Sequence, residues 1–192
     1  MSKDFHSFSS ETSGNYSSLP KSALSVPSTP SGYNVEYSSP SENHTSNFHV
    51  TLDNATVSDY GVELLRNGSC KYNCHSYAWH STSSSNTYWI YNPQPYMNDP
   101  YYTNIYTGSP SVTCSSLGLC GNDRIVYTNN KHSAIFAGSP YSNASIGSSL
   151  VISKWGKAGV FRHTLTNVPY GYSTIKIYQP TYAQNGIVIP TE

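Results

Sequence analysis

Cys74 is followed at once by His75-Ser76-Tyr77-Ala78-Trp79, an apolar and aromatic run that predicts a helix from the cysteine through about His80. A thiol on the first turn of a helix is well placed to form a thiolate, because the first backbone N–H groups and the positive end of the peptide dipole stabilise the anion. The same groups can hold an oxyanion, so the N–H groups of Cys74 and His75 make a candidate oxyanion hole. The plainer role for Cys74 is a small buried residue or half of a disulfide with Cys70, and the local sequence leaves both readings open.

A thiol nucleophile needs a base within hydrogen-bond reach and a third group to orient that base. Of the seven histidines, His6, His44 and His49 lie in or near the N-terminal tail. His75 and His80 lie in the Cys74 run, and on a helix His75 points about 100° away from its neighbour. His132 opens the run His132-Ser133-Ala134-Ile135-Phe136, which reads as a strand after Arg124-Ile125-Val126-Tyr127 and a turn at Asn129-Asn130. That order brings an imidazole to a sheet edge where a packed helix could present Cys74. For the orienting group, the next run, Leu150 to Trp155, offers Ser153, which can accept from an imidazole, whereas Lys154 only donates. The run after it offers His163. The expected roles are therefore Cys74 as nucleophile, His132 as base and Ser153 or His163 as orienter. Tyr72, His75, Trp89, Tyr91 and Trp155 are the candidate substrate-contacting walls.

Residues 1–47 are rich in Ser, Pro, Asn and Gly without a lasting period, and read as a disordered arm or linker, with Tyr33, Val35 and Tyr37 as a weak edge-strand signal. Val57 to Arg66 reads as a short helix stopped by Asn67-Gly68. Tyr88 to Tyr91 reads as a strand or cleft wall. Asn92 to Pro110 carries four prolines and several tyrosines and reads as an irregular aromatic loop. Short strands follow at 124–127, 132–136, 150–155, 160–163, 175–178 and 186–189. Helices followed by a run of short strands give an α+β class with a meandering sheet.

In order and spacing, residues 70–156 resemble the papain-like NlpC/P60 and CHAP amidase superfamily. The motifs are a cysteine opening a helix, the strand Asp123-Arg124-Ile125-Val126, and a histidine opening the next strand. The resemblance implies a papain-like domain over 48–192, with N-terminal helices packed on a mainly antiparallel sheet. It also implies Cys74 as nucleophile, His132 as base, no cofactor or metal, and amide substrates in peptides, often peptidoglycan peptides. The superfamily places His, Glu, Asn or Gln on the strand after the base. Here that strand ends Ser153-Lys154-Trp155-Gly156, a departure from the pattern.

Composition narrows the classes further. Only 10% of residues are charged and the formal net charge is zero, so there is no basic field for nucleic acid and no polybasic membrane patch. No stretch reaches the roughly 18 apolar residues of a membrane span. The Ser-, Thr-, Asn- and Tyr-rich composition has an exported style and points to a secreted or cell-surface protein of bacterial type, although no signal segment is visible. Cys114 and Cys120 bracket a turn and suit a local disulfide, while the spacing of the four cysteines is poor for a zinc knuckle. Two alternatives accompany the cysteine hydrolase: an acyltransferase using the same Cys–His pair, and a non-catalytic glycan- or peptide-binding module using the aromatic loop 88–106.

Overall fold

The computed structural model describes residues 27–113, 117, 122–128, 131–138 and 144–181. Its centre is a seven-stranded antiparallel sheet in the order β2-β8-β7-β6-β5-β9-β4. β5 (Arg124–Tyr127), β6 (His132–Phe136), β7 (Leu150–Lys154) and β8 (Val160–Thr164) form the expected meander. β9 (Ile175–Pro180) crosses back to pair with β5, and β4 (Tyr102–Gly108) and β2 (Glu63–Arg66) close the two edges. The fold class is α+β with a mainly sheet core.

Both faces of the sheet are covered, which is why all five residues of β6 are buried. On one face, Val126, Ile135, Val160 and Tyr178 pack against Tyr77, Ala78 and Trp79 of the Cys74 run and against Tyr96 and Met97. On the other, Ile125, Tyr127, Ala134, Phe136 and Val151 form a second cluster. Beside it, Trp155 and Phe161 lie under Leu52, Val57 and Tyr60 of α1 (Ser46–Tyr60).

Three expected elements differ. The helix expected over 57–66 is the end of α1, whose side-chain cap is Thr45; Gly61, in the left-handed region at φ 61°, stops it. Residues 63–66 then pair as an edge strand with β8, Glu63 opposite Arg162. The expected irregular loop 92–110 instead forms α2 (Gln94–Met97) and then β4. Pro93 and Pro95 sit at the start of that helix, where a missing N–H breaks no helical bond.

Part of the stretch read as an arm is ordered. Residues 27–47 are folded onto the domain, with Thr29 and Val35 buried and β1 (Tyr37–Ser38) paired with β3 (Trp89–Ile90). The reason is polar rather than apolar: Asp99 accepts from the Thr29 and Ser31 hydroxyls and from the Ser31 and Tyr101 backbone N–H groups. The rest of the expected arm, the strand at 186–189 and the Cys114–Cys120 pairing lie outside the described residues.

Burial opposes ionisation of Asp99, but the hydrogen bonds from Thr29, Tyr101 and Ser31 outweigh it and hold the carboxyl below its ordinary value. A depressed folded value gives stability that is present above the unfolded pKa and lost as pH falls through the folded one. Asp99→Asn is therefore expected to lower stability by about 1–3 kcal/mol in urea unfolding at neutral pH. It should also speed proteolytic cleavage within 27–38, and its deficit against the native chain should shrink as pH drops below about 4. An unchanged cleavage rate would show that Asp99 does not hold the segment.

Candidate active site

Asn73 fixes where the Cys74 helix begins. Its side-chain oxygen accepts from the Ser76 backbone N–H at 3.0 Å, an N-cap that makes Cys74 the first helical residue. Its amide nitrogen donates to the Ile90 carbonyl at 2.7 Å, tying the cap to β3. The helix widens to a π-helix over Ser76–His80 and packs on β6 and β7. Trp79 Nε1 donates to Ser133 Oγ at 3.0 Å, and His75 Nδ1 lies 2.8 Å from the same oxygen, so the Ser133 side of β6 faces this helix.

Burial pushes the Cys74 thiol up to about 11, against the opposing pull of the Ser133 and His75 backbone N–H groups and of Lys154. The resting thiol is protonated, contrary to the thiolate expected from helix position alone. Desolvation outweighs the N–H groups of Ser133, His75 and Cys74 and a helix of seven residues, which carries only a small end charge. Cys70 and Cys74 are both free, so no bond joins them.

The proposed base and both proposed orienters are connected. His132 Nε2 lies 3.0 Å from Ser153 Oγ, which lies 2.7 Å from His163 Nε2. Proton positions follow from donor and acceptor counting. The Thr164 carbonyl only accepts, so His163 Nδ1, at 2.8 Å from it, carries a proton. Burial pushes His163 down to about 4, so its ring is neutral and Nε2 is an acceptor. Ser153 therefore donates its one hydroxyl proton to His163. Its lone pairs accept from Trp155 Nε1 at 2.8 Å and from His132. His132 is thus the Nε2–H tautomer, and its Nδ1 is a bare lone pair. That atom is buried and has no hydrogen-bond partner. Burial, with the neighbouring His163 and His75, holds the ring well below the ordinary histidine range.

The thiol and the imidazole are not hydrogen-bonded. Strand alternation explains this: Ser133 faces the Cys74 helix, so His132 points to the opposite face with Ser153 and His163. The Cys74 thiol nonetheless sits against the backbone N–H of Ser133, the residue next to His132. Tyr170 touches both sides. Its ring stacks on His132 with centroids 4.6 Å apart, and burial and the adjacent Cys74 push its phenol up.

Lys154, on the Ser133 face, places its buried ammonium 5.3 Å from the Tyr72 ring centroid. It donates to the carbonyls of Ser69, Gly156 and Ala158. Burial pushes it down to about 7, against the pull of Asp53 and Cys70. A neutral amine would turn a lone pair toward one of those carbonyls, so the cage fits the cation.

Of the expected walls, Tyr72 and Trp155 are buried in the core, Trp89 is half-buried in β3, and Tyr91 is exposed with its hydroxyl on Ser38. His75 belongs to the Ser133 contact. Within 88–106, Tyr96 and Tyr102 are core residues, Tyr88, Trp89, Tyr101 and Tyr106 are half-buried, and Tyr91 is exposed. Sequence reasoning missed Tyr170, Asn73 and the cage of Lys154. A capping residue immediately before the cysteine was the available signal for Asn73, and none was visible for the other two. The chain matches no protein-family model, no curated protein and no solved structure.

A thiol held near 11 reacts through a small thiolate fraction. Cys74 in the folded chain is expected to alkylate with iodoacetamide more slowly than a model thiol at pH 8, with a rate that climbs as pH rises toward 11. Peptide mass mapping reads the site. Faster labelling near pH 6 would show that the thiol is ionised in solution.

Proposed function

We propose that the chain is a cysteine-dependent hydrolase of peptide-like amide bonds. The NlpC/P60 resemblance favours peptidoglycan stem peptides as the substrate class and a papain-like arrangement of the domain. The observation that carries the reading is the unpartnered Nδ1 of His132, a buried lone pair whose tautomer is set by Ser153, His163 and the Thr164 carbonyl. A general base requires a free lone pair on a ring nitrogen, and this arrangement leaves one on His132. Tyr170 must swing off His132 for substrate to reach the pair.

In the reaction, the Cys74 thiol proton passes to His132 Nδ1 through a water admitted when Tyr170 swings away, because the two side chains start on opposite faces of the sheet, as sulfur attacks the carbonyl carbon. The oxyanion is held by backbone N–H groups at the helix start, and Lys154 supplies a nearby positive charge. Collapse breaks the C–N bond, the imidazolium gives its proton to the departing amine, and a thioester remains on Cys74. Water, deprotonated by the same nitrogen, then releases the acid. An amine in place of water would make the protein an acyltransferase. Ser153 and His163 are positioning residues.

The test is hydrolysis of peptidoglycan stem peptides, with a peptidyl electrophile as an active-site label. Cys74→Ser is expected to abolish turnover and labelling, and His132→Ala to lower kcat by roughly 10²–10⁴-fold. Ser153→Ala should lower kcat with KM unchanged, because it frees the wrong tautomer. Activity should fall on acidification, with a midpoint below the ordinary histidine value. Turnover that survives Cys74→Ser, or a Cys74 that no peptidyl electrophile modifies, would overturn the proposal.

A further inference from the structure

Four positions before the nucleophile in the chain, Cys70 belongs to a second cluster. His49 Nε2 lies 3.0 Å from Glu42 Oε1, and Glu42 Oε2 accepts from the Cys70 backbone N–H at 2.8 Å. One ligand atom from each of Glu42, His49 and Cys70 lies within 4.8 Å of the others. His49 and Cys70 are buried.

Donor counting at His49 is informative. Nδ1 lies 3.0 Å from the Lys157 carbonyl, which only accepts, so Nδ1 carries a proton. Nε2 therefore presents either a second proton or a lone pair to a carboxylate oxygen. The Lys157 carbonyl thus turns Nε2 toward the Glu42 carboxylate and the cluster with Cys70. A carbonyl on Nδ1 that aims Nε2 is also the usual outer contact of a metal-binding histidine. In a tetrahedral zinc site, bonds of about 2.0–2.3 Å set the ligand atoms roughly 3.3–3.6 Å apart, so the cluster needs to shift by only about an ångström to close on an ion.

We propose that Glu42, His49 and Cys70 bind a zinc ion, with water in the fourth position. The mixed nitrogen, oxygen and thiolate set selects zinc or cobalt over magnesium or calcium. Binding releases the Cys70 thiol proton and the proton shared between His49 and Glu42, so the ion is held by one neutral and two anionic ligands. Lys157, whose ammonium lies 3.4 Å from His44 Nε2, is the competing cation next to the cluster. The ion would join the N-terminal segment, α1 and the stretch that leads into the Cys74 helix.

The test uses the full chain, stripped with chelator and titrated with Zn²⁺ against a chromophoric indicator, and separately with Co²⁺. The expected result is one equivalent of metal and a tetrahedral cobalt spectrum with a thiolate charge-transfer band. Cys70→Ser, its fold checked by circular dichroism, should lose the band and weaken Zn²⁺ binding by roughly tenfold or more. Glu42→Gln should also weaken binding. Cys74→Ser should keep both band and affinity, which separates this site from the hydrolase reading. Absence of stoichiometric binding, an octahedral cobalt spectrum, or a band that survives Cys70→Ser would overturn the proposal.

Discussion

One hydroxyl proton, that of Ser153, sets the direction of the hydrogen bonds in the buried network of His132, His163 and Trp155. Ser153 is fully buried between two imidazoles and an indole, so each contact must pair a donor with an acceptor. A mismatched buried pair leaves a polar group unsatisfied, at about 1–3 kcal/mol, so the direction of each bond is enforced. The Thr164 carbonyl starts the sequence and His132 ends it. Ser153 donates once and accepts twice, which uses its full capacity. The arrangement depends on register: Val151 opposite His163 and Ser153 opposite Phe161 keep Ser153 and His163 on one face. A slip of one residue would turn them to opposite faces.

Burial that enforces the tautomer also suppresses reactivity. The Cys74 thiol is raised to about 11 and His132 is held neutral, so no thiolate–imidazolium pair forms at rest. An ion pair taken out of water pays a desolvation penalty that only good geometry repays, and here the partners begin on opposite faces of the sheet. Lys154 is the exception: three carbonyls suit its ammonium although burial pulls it down to about 7, and its charge favours the Cys74 thiolate.

The strands were legible because their apolar residues fall in short runs bounded by turn residues. The runs at 124–127 and 132–136 match β5 and β6, and those at 150–155 and 160–163 differ from β7 and β8 by one residue. What failed was decided by single contacts. Asp99 docks a segment whose composition reads as disordered, and Gly61 converts an expected helix into a helix end and an edge strand. At the candidate site, residue type singled out Cys74, His132, Ser153 and His163, of which the structure joins the last three by hydrogen bonds. Which face of the sheet each occupies depends on the strand and the helix packed against it, information that spacing along the chain does not carry. Tyr170 acts from a turn between strands and left no pattern to read.

Which part can open follows from how each is held. The stretch before Cys74 is fastened at nearly every residue: the Gly68 N–H to Asp53, the Ser69 carbonyl to Lys154, the Cys70 N–H to Glu42, the Tyr72 hydroxyl to Arg66 and the Asn73 side chain to Ile90. Gly68 is packed so closely that a Cβ there would meet the Lys157 carbonyl at 2.6 Å. Moving the helix would break these bonds together. The turn carrying Tyr170 is different: its ends are tied, through Asn167 to Tyr60 and through Ser173 and Thr174 to Thr128, and the residues between are half-buried or exposed. Lifting Tyr170 gives up the ring stack on His132 and the burial of its phenol beside Cys74 and Tyr60, and leaves both anchors in place. The turn can therefore move without disturbing the helix that carries Cys74, which its many bonds hold in place.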